Sequence, residues 1–144
     1  MASIEERFTA ALHGTARTWR LAVDRRLKSL GMSQAAWMTV AMAAKSKEPL
    51  AQIELAQRVG VEGATMVAML DRLAKAGLVV RTPSLTDRRV KLVTLTPQGE
   101  ALYARVRSEG AAVRRRVLAG IDPKRLALAT ELLEQIQAAV EELP

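Results

Sequence analysis

Residues 52–77 read QIELAQRVGVEGATMVAMLDRLAKAG, and their pattern decides the fold. Ile53, Leu55, Ala56 and Val59 give a short apolar helical face over Gln52 to Val59. Gly60-Val61-Glu62-Gly63 then interrupts the periodicity as a tight turn. A second helix is predicted from Ala64 to Ala76, with Met66, Val67, Leu70, Leu73 and Ala74 inward. Gly77 is its stop, because glycine tolerates the positive φ that ends a helix. Two short helices joined by a glycine-containing turn make a helix-turn-helix.

Downstream, Leu78–Thr82 and Val90–Leu95 are β-branched runs separated by Pro83–Arg89, a β-hairpin with a basic tip. Thr96-Pro97 and Asp122-Pro123 each place a capping oxygen before a proline at the first helical position. Helices are therefore predicted from Pro97 to Gly120 and from Pro123 to Leu143. Upstream, Phe8, Leu12, Ala16, Trp19, Val23, Leu27 and Leu30 recur at steps of three or four, one face of a long helix that Gly31 ends. Ser33 caps a second helix reaching Lys45, with Trp37, Val40 and Ala41 or Ala44 inward, and Lys45-Ser-Lys-Glu-Pro49 reads as a surface loop.

In the last helix Leu126, Ala129, Leu133, Ile136, Val140 and Leu143 form a narrow apolar seam of the kind two helices share. A mainly α (α+β) fold follows: a winged helix-turn-helix with a two-stranded β wing over 33–96. Residues 1–32 and 97–144 frame it as a helical dimerisation region, with Phe8, Leu12, Leu133, Ile136, Val140 and Leu143 as the expected contacts between copies. Packing of the same stripe within one chain is the other reading of the seam.

Composition narrows the chemistry. The 144 residues carry 22 Lys+Arg against 15 Asp+Glu, with no cysteine and one histidine, His13. Thiolate metal sites, cysteine nucleophiles and most histidine-based catalytic arrangements are excluded by inventory, so no enzyme, no metal and no cofactor is expected. Glu131 and Glu134 are the carboxylates left for acid–base work, and their spacing beside an apolar seam suits a solvated helix face. Met1-Ala-Ser-Ile-Glu-Glu-Arg7 has neither the basic segment nor the apolar core of a secretion signal, and no apolar run approaches roughly 18 residues. A cytoplasmic protein with no membrane partner is expected. Basic residues outnumber acidic ones eight to four over 1–50 and seven to four over 51–95, and balance them seven to seven over 96–144. The positive field of the first two thirds favours a polyanion.

Four segments sharpen this reading: Gln52–Gly60, Leu70–Val79 (LDRLAKAGLV), Asp87-Arg88-Arg89, and Leu95–Leu102 (LTPQGEAL). In register and without gaps they resemble the MarR family of bacterial transcriptional regulators, and the resemblance covers nearly the whole chain. Arg17-Thr-Trp-Arg20, Asp24–Lys28 and Gln34–Trp37 look most like its SlyA branch. The resemblance implies a cytoplasmic homodimer on double-stranded DNA. Two recognition helices enter successive major grooves of a pseudo-palindromic operator, and the wings reach the adjacent minor grooves.

On that basis Ala64, Thr65, Ala68 and Arg72 face the DNA from the recognition helix, preceded by Glu62 and Gly63. Only small groups meet the bases: Thr65 can hydrogen-bond a base edge or phosphate, and Ala64 or Ala68 can touch a thymine methyl. Members near the SlyA branch commonly carry arginine where this chain has Ala68, and proline or serine where it has Ala64. Affinity should then lean on the backbone and the wing, with modest discrimination and a preference for A·T-rich sites. The resemblance assigns the wing arginine to the minor groove; Arg89 is the first candidate and Arg88 the second, with Asp87 orienting it. Arg81, Lys91, Ser84 and Thr86 are phosphate candidates, and Gln52 either contacts phosphate or ends its loop. Arg114-Arg115-Arg116 suits a solvated face or ion pairs with a partner helix.

The family also implies a crevice for small phenolic or aromatic carboxylate effectors. Arg17 and Trp37 match positions that can line it, with Trp19, Arg20, Met42 and His13 as further candidates, while Gly14 stands where the SlyA branch commonly has arginine. The alternative to a dimeric DNA-binding regulator acting as a repressor is a winged-helix interaction module with weak or non-specific DNA binding.

Overall fold

Local signals start and stop most of the elements. The computed structural model describes residues 1–144. Helix α1 (Ile4–Leu27) opens on a capping box: Glu6 N donates to Ser3 Oγ (3.2 Å) and Ser3 N to Glu6 Oε2 (2.7 Å). A single 3₁₀ turn, Lys28–Leu30, tightens its end, and Gly31 closes it at φ 69°. Helix α2 (Gln34–Lys45) is capped by Ser33, whose Oγ accepts from Ala36 N. Strand β1 (Leu50–Ala51), helix α3 (Gln52–Val59) and helix α4 (Gly63–Lys75) follow. Gly60 at φ 83° turns the chain between α3 and α4, where the amides of Gly60 and Val61 both donate to the Ala56 carbonyl. Strands β2 (Val79–Pro83) and β3 (Lys91–Leu95) lead to α5 (Pro97–Leu118) and α6 (Pro123–Glu141), the last capped by Asp122. No helix is long and apolar enough to cross a membrane.

The winged helix-turn-helix is present, with one strand more than expected. β1 pairs antiparallel with β3 (Leu50↔Val93, Ala51↔Leu92), and β3 with β2 (Val79↔Leu95 to Pro83↔Lys91), giving the order β1-β3-β2. A two-residue strand has no periodicity to read; it exists because β3 supplies its hydrogen bonds. The long helices end earlier than expected, at Leu118 rather than Gly120 and at Glu141 rather than Leu143. Helix α4 begins at Gly63 rather than Ala64.

The chain divides into two compact units, Met1–Ala111 and Ala112–Pro144. In the first, α2 packs on α3 and β3, α3 on α4, and α4 on β2, around Leu27, Val40, Leu55, Met66, Leu70 and Val93. Thr39 is fully buried among them, and its hydroxyl donates to the Ala35 carbonyl (2.7 Å) with Met69 Sδ at 3.2 Å. Two expected inward positions point outward instead. Ile53 is 67% exposed and Val67 41%, and Met69 takes the core place assigned to Val67. Met66, Met69, Leu70 and Leu73 are the true i, i+3, i+4, i+7 stripe.

The junction from α4 through β2 to α5 is tight. Gly77 (φ 77°) ends α4, Thr96 Oγ1 donates to the Gly77 carbonyl (2.6 Å) and accepts from Gly99 N (3.0 Å), and Thr96 N donates to the Leu78 carbonyl. A Cβ at position 99 would overlap the Leu78 carbonyl oxygen.

In the second unit Val113 is the one buried side chain. Along α6, Leu126 and Ile136 are half-buried, whereas Ala129, Leu133 and Val140 of the expected seam are exposed, as are Leu143 just past the helix and Leu128 and Leu132 off the seam.

Candidate nucleic-acid interface

Helix α4 buries one stripe and leaves the opposite one to solvent. Ala64, Thr65, Ala68 and Arg72 are all exposed, as are Glu62 and Gly63 at its start. Glu62 occupies the N-cap without a side-chain hydrogen bond to the helix. Arg72 makes no ion pair, so its charge is available to a ligand. This face offers one cation, the Thr65 hydroxyl and the methyl groups of Ala64 and Ala68, a surface with few hydrogen-bonding groups.

The wing carries three more exposed cations, Arg88, Arg89 and Lys91. Its loop closes with Ser84 N donating to the Val90 carbonyl (2.8 Å) and Val90 N to the Asp87 carbonyl (3.0 Å). Asp87 holds Arg89 in three hydrogen bonds: Arg89 Nε to Oδ1 (3.1 Å), Nη2 to Oδ2 (3.1 Å) and the Arg89 amide to Oδ1 (3.0 Å). Those bonds hold the Asp87 carboxyl below the usual carboxylate range, first through the Arg89 side chain and then through its amide. The Arg89 side chain is nevertheless 91% exposed. One edge of the guanidinium is pinned and the rest is presented to solvent, a cation aimed in advance at an anion. Arg88 and Lys91 are exposed and unpaired. The Ser84 and Thr86 hydroxyls lie 3.0 Å apart and bond each other.

Arg81 has a different setting from the one expected. Its Nη2 lies 2.6 Å from Asp71 Oδ1 on α4, and its Nη1 donates to Gln52 Oε1 (3.5 Å) on α3. The guanidinium therefore ties together α3, α4 and the root of the wing, and Gln52 shares in the tie. Sequence reasoning passed over Asp71; the available signal was an acid on a helix face otherwise suited to meet phosphates.

The residues proposed for an effector crevice are only partly gathered. Arg17 and Arg20 line an open hollow of about 330 Å³ with His13, Ala16, Leu21 and Gln34. Trp19, Trp37 and Met42 are half-buried and do not line it. The Trp37 indole N–H is buried without a hydrogen-bond partner in the chain.

Comparison with known proteins adds independent findings. The MarR family profile matches residues 32–91. The crystal structure of transcriptional regulator PA3341 is 43% identical with a TM-score of 0.86, over 94% of this chain and 99% of that one. A MarR family transcriptional regulator from Silicibacter pomeroyi is 25% identical with a TM-score of 0.82, over 96% and 92%. CouR from Rhodococcus jostii RHA1, solved with p-coumaroyl-CoA bound, shares the fold at 24% identity and a TM-score of 0.77, over 94% and 95%.

Proposed function

The chain belongs to the MarR family of transcriptional regulators, and from this premise we propose that it works in the cytoplasm as a homodimer on a pseudo-palindromic DNA operator. Helix α4 of each copy lies in a major groove, and Arg89 of each wing enters the neighbouring minor groove. The observation that carries this reading is the Asp87–Arg89 arrangement, an exposed arginine fixed along one edge by two side-chain hydrogen bonds. Fixing a long cation before binding lowers the entropy lost when it meets a polyanion. A narrow A·T-rich minor groove has the enhanced negative potential that attracts such a side chain. Thr65, Ala64 and Ala68 supply the direct base contacts, and Arg72, Arg88, Lys91, Ser84 and Thr86 the backbone ones. Gln52 and Arg81 act by positioning α3, α4 and the wing.

Occupying an operator that overlaps a promoter makes the protein a repressor. The residues around Arg17-Thr-Trp-Arg20 and Trp37 support a place near the SlyA branch. The hollow lined by Arg17, Arg20, His13 and Gln34 suits a small aromatic carboxylate: two guanidinium groups meet the carboxylate, and Ala16 and Leu21 offer apolar contact to the ring. The p-coumaroyl-CoA held by CouR is a ligand of related chemistry, an aromatic acyl group on an anionic carrier.

Selection of bound duplexes from a random pool at about 150 mM salt, where non-specific phosphate binding is already weakened, tests the reading. The expected product is an A·T-rich inverted repeat with half-sites roughly 34–36 Å apart. Recovery of no sequence by a folded dimer would overturn it.

A further inference from the structure

At the apex of the wing, Leu85 projects its whole side chain into solvent, at 103% relative exposure. Its setting is ordered on both sides. Ser84 and Thr86 bond each other through their hydroxyls, the Thr86 amide donates to Ser84 Oγ (3.3 Å), and the loop is closed by the Ser84–Val90 backbone bond. Asp87 then anchors Arg89 within the same loop. An isolated exposed leucine on a surface is ordinary. This one stands on a hydrogen-bonded frame beside two exposed arginines, and Pro83 is the one other exposed apolar residue from Pro83 to Val90, too little surface for a protein partner. A surface that fits it must be strongly anionic and must also offer a slot for a single aliphatic side chain. The minor-groove side of a base-pair step satisfies both requirements, and leucine is one of the side chains able to unstack such a step.

Building on the DNA-binding reading above, we infer that Leu85 is a wedge: it inserts at a base-pair step of the minor groove that Arg89 enters beside each half-site, while Arg88 holds the phosphate-rich wall. Pyrimidine–purine steps, TA above all, unstack and kink at least cost, so the wedge selects those steps. It thereby supplies discrimination at positions beyond the reach of α4, whose reading face has alanines where hydrogen-bonding groups would act. The kink bends the flank towards the major groove, in the sense seen when apolar side chains enter from the minor groove.

The test uses the full-length protein and a duplex recovered by the selection, with 2-aminopurine placed at successive positions of the flank. Wild-type protein should raise the fluorescence at one step per half-site several-fold, as an unstacked base does. Leu85→Ala should abolish the rise, lose the preference for TA at that step, and bind the selected duplex roughly 3- to 30-fold more weakly. Thr65→Ala, at saturating concentration, should weaken binding yet keep the rise, because it alters only the major-groove contact. A Leu85→Ala protein with the wild-type fluorescence and step preference overturns the wedge and leaves the DNA-binding reading intact. Absence of sequence-selective binding by the wild type overturns both.

Discussion

The two units of this chain treat their apolar residues in opposite ways. Through Ala111, leucines, methionines and valines from every helix and strand close over one another until Leu27, Leu55, Met66 and Leu70 have no exposure at all. Beyond Ala112, α6 has a regular apolar seam, and most of it stands in solvent. A 19-residue helix does not keep such a stripe uncovered in water without consequence. The first unit has the core of a self-contained fold, whereas the second is built to be completed, and a second copy of the same chain is the partner that the proposed function requires.

The comparison can be broken most severely at its open side. Leu133→Glu with Val140→Glu puts four carboxylates per dimer where aliphatic side chains, each contributing about 1.5–3 kcal/mol, would be buried. Dimerisation should weaken by at least about 10⁴-fold, read by sedimentation equilibrium, while the helical circular dichroism of the chain is largely kept. At the closed side, Leu70→Ala opens a cavity under α4. It should cost about 2–5 kcal/mol and lower the melting temperature by roughly 5–15 °C, measured by calorimetry.

Smaller effects sharpen the contrast within the first unit, between its core and its wing. Arg89→Ala removes an exposed group whose bonds to Asp87 are screened by solvent, and should lower the melting temperature only slightly. It should weaken binding to the selected duplex about 10-fold and lower the salt slope by about 2 per dimer, measured by fluorescence anisotropy across a salt series. The smallest effect concerns pH. A carboxyl held below its ordinary range stabilises the fold above that range and loses the contribution only as pH falls through the lowered value. The Arg89 amide resonance should therefore stay constant from pH 7 down to about 4, the ordinary aspartate value, and move only below it. Movement above that point would show that the Asp87–Arg89 bonds do not persist in solution.

What could be read from the sequence follows the range of the forces involved. Gly60, Gly77, Thr96-Pro97 and Asp122-Pro123 act within a turn of their own position, and each starts or stops its element where expected. Phase errors arose where a helix is short or its apolar residues crowd. Two turns of α3 cannot fix whether Ile53 faces in, and Val67 and Met69 compete for one place on α4. Non-local partners were beyond reach: β1 depends on Val93 and Leu92 more than forty residues on, and Arg81 depends on Asp71 of another element. The wing tip was legible because Asp87 and Arg89 are two residues apart. Of the residues expected around an effector, Arg17, Arg20 and His13 share one hollow, whereas Trp19, Trp37 and Met42 are half-buried and do not line it, because their inward or outward setting depends on packing between helices.

The contact at Gly99 has a mechanical meaning. With no side chain between the first turn of α5 and the Leu78 carbonyl, and with Thr96 bonded to the residue that ends α4, the joint has no slack to absorb a displacement. Backbone packed directly on backbone resists displacement of the start of α5 relative to the end of α4 and the root of the wing, as a welded bracket does. The stiffness of that bracket rests on one missing methyl group, so even alanine at position 99 would pry its pieces apart.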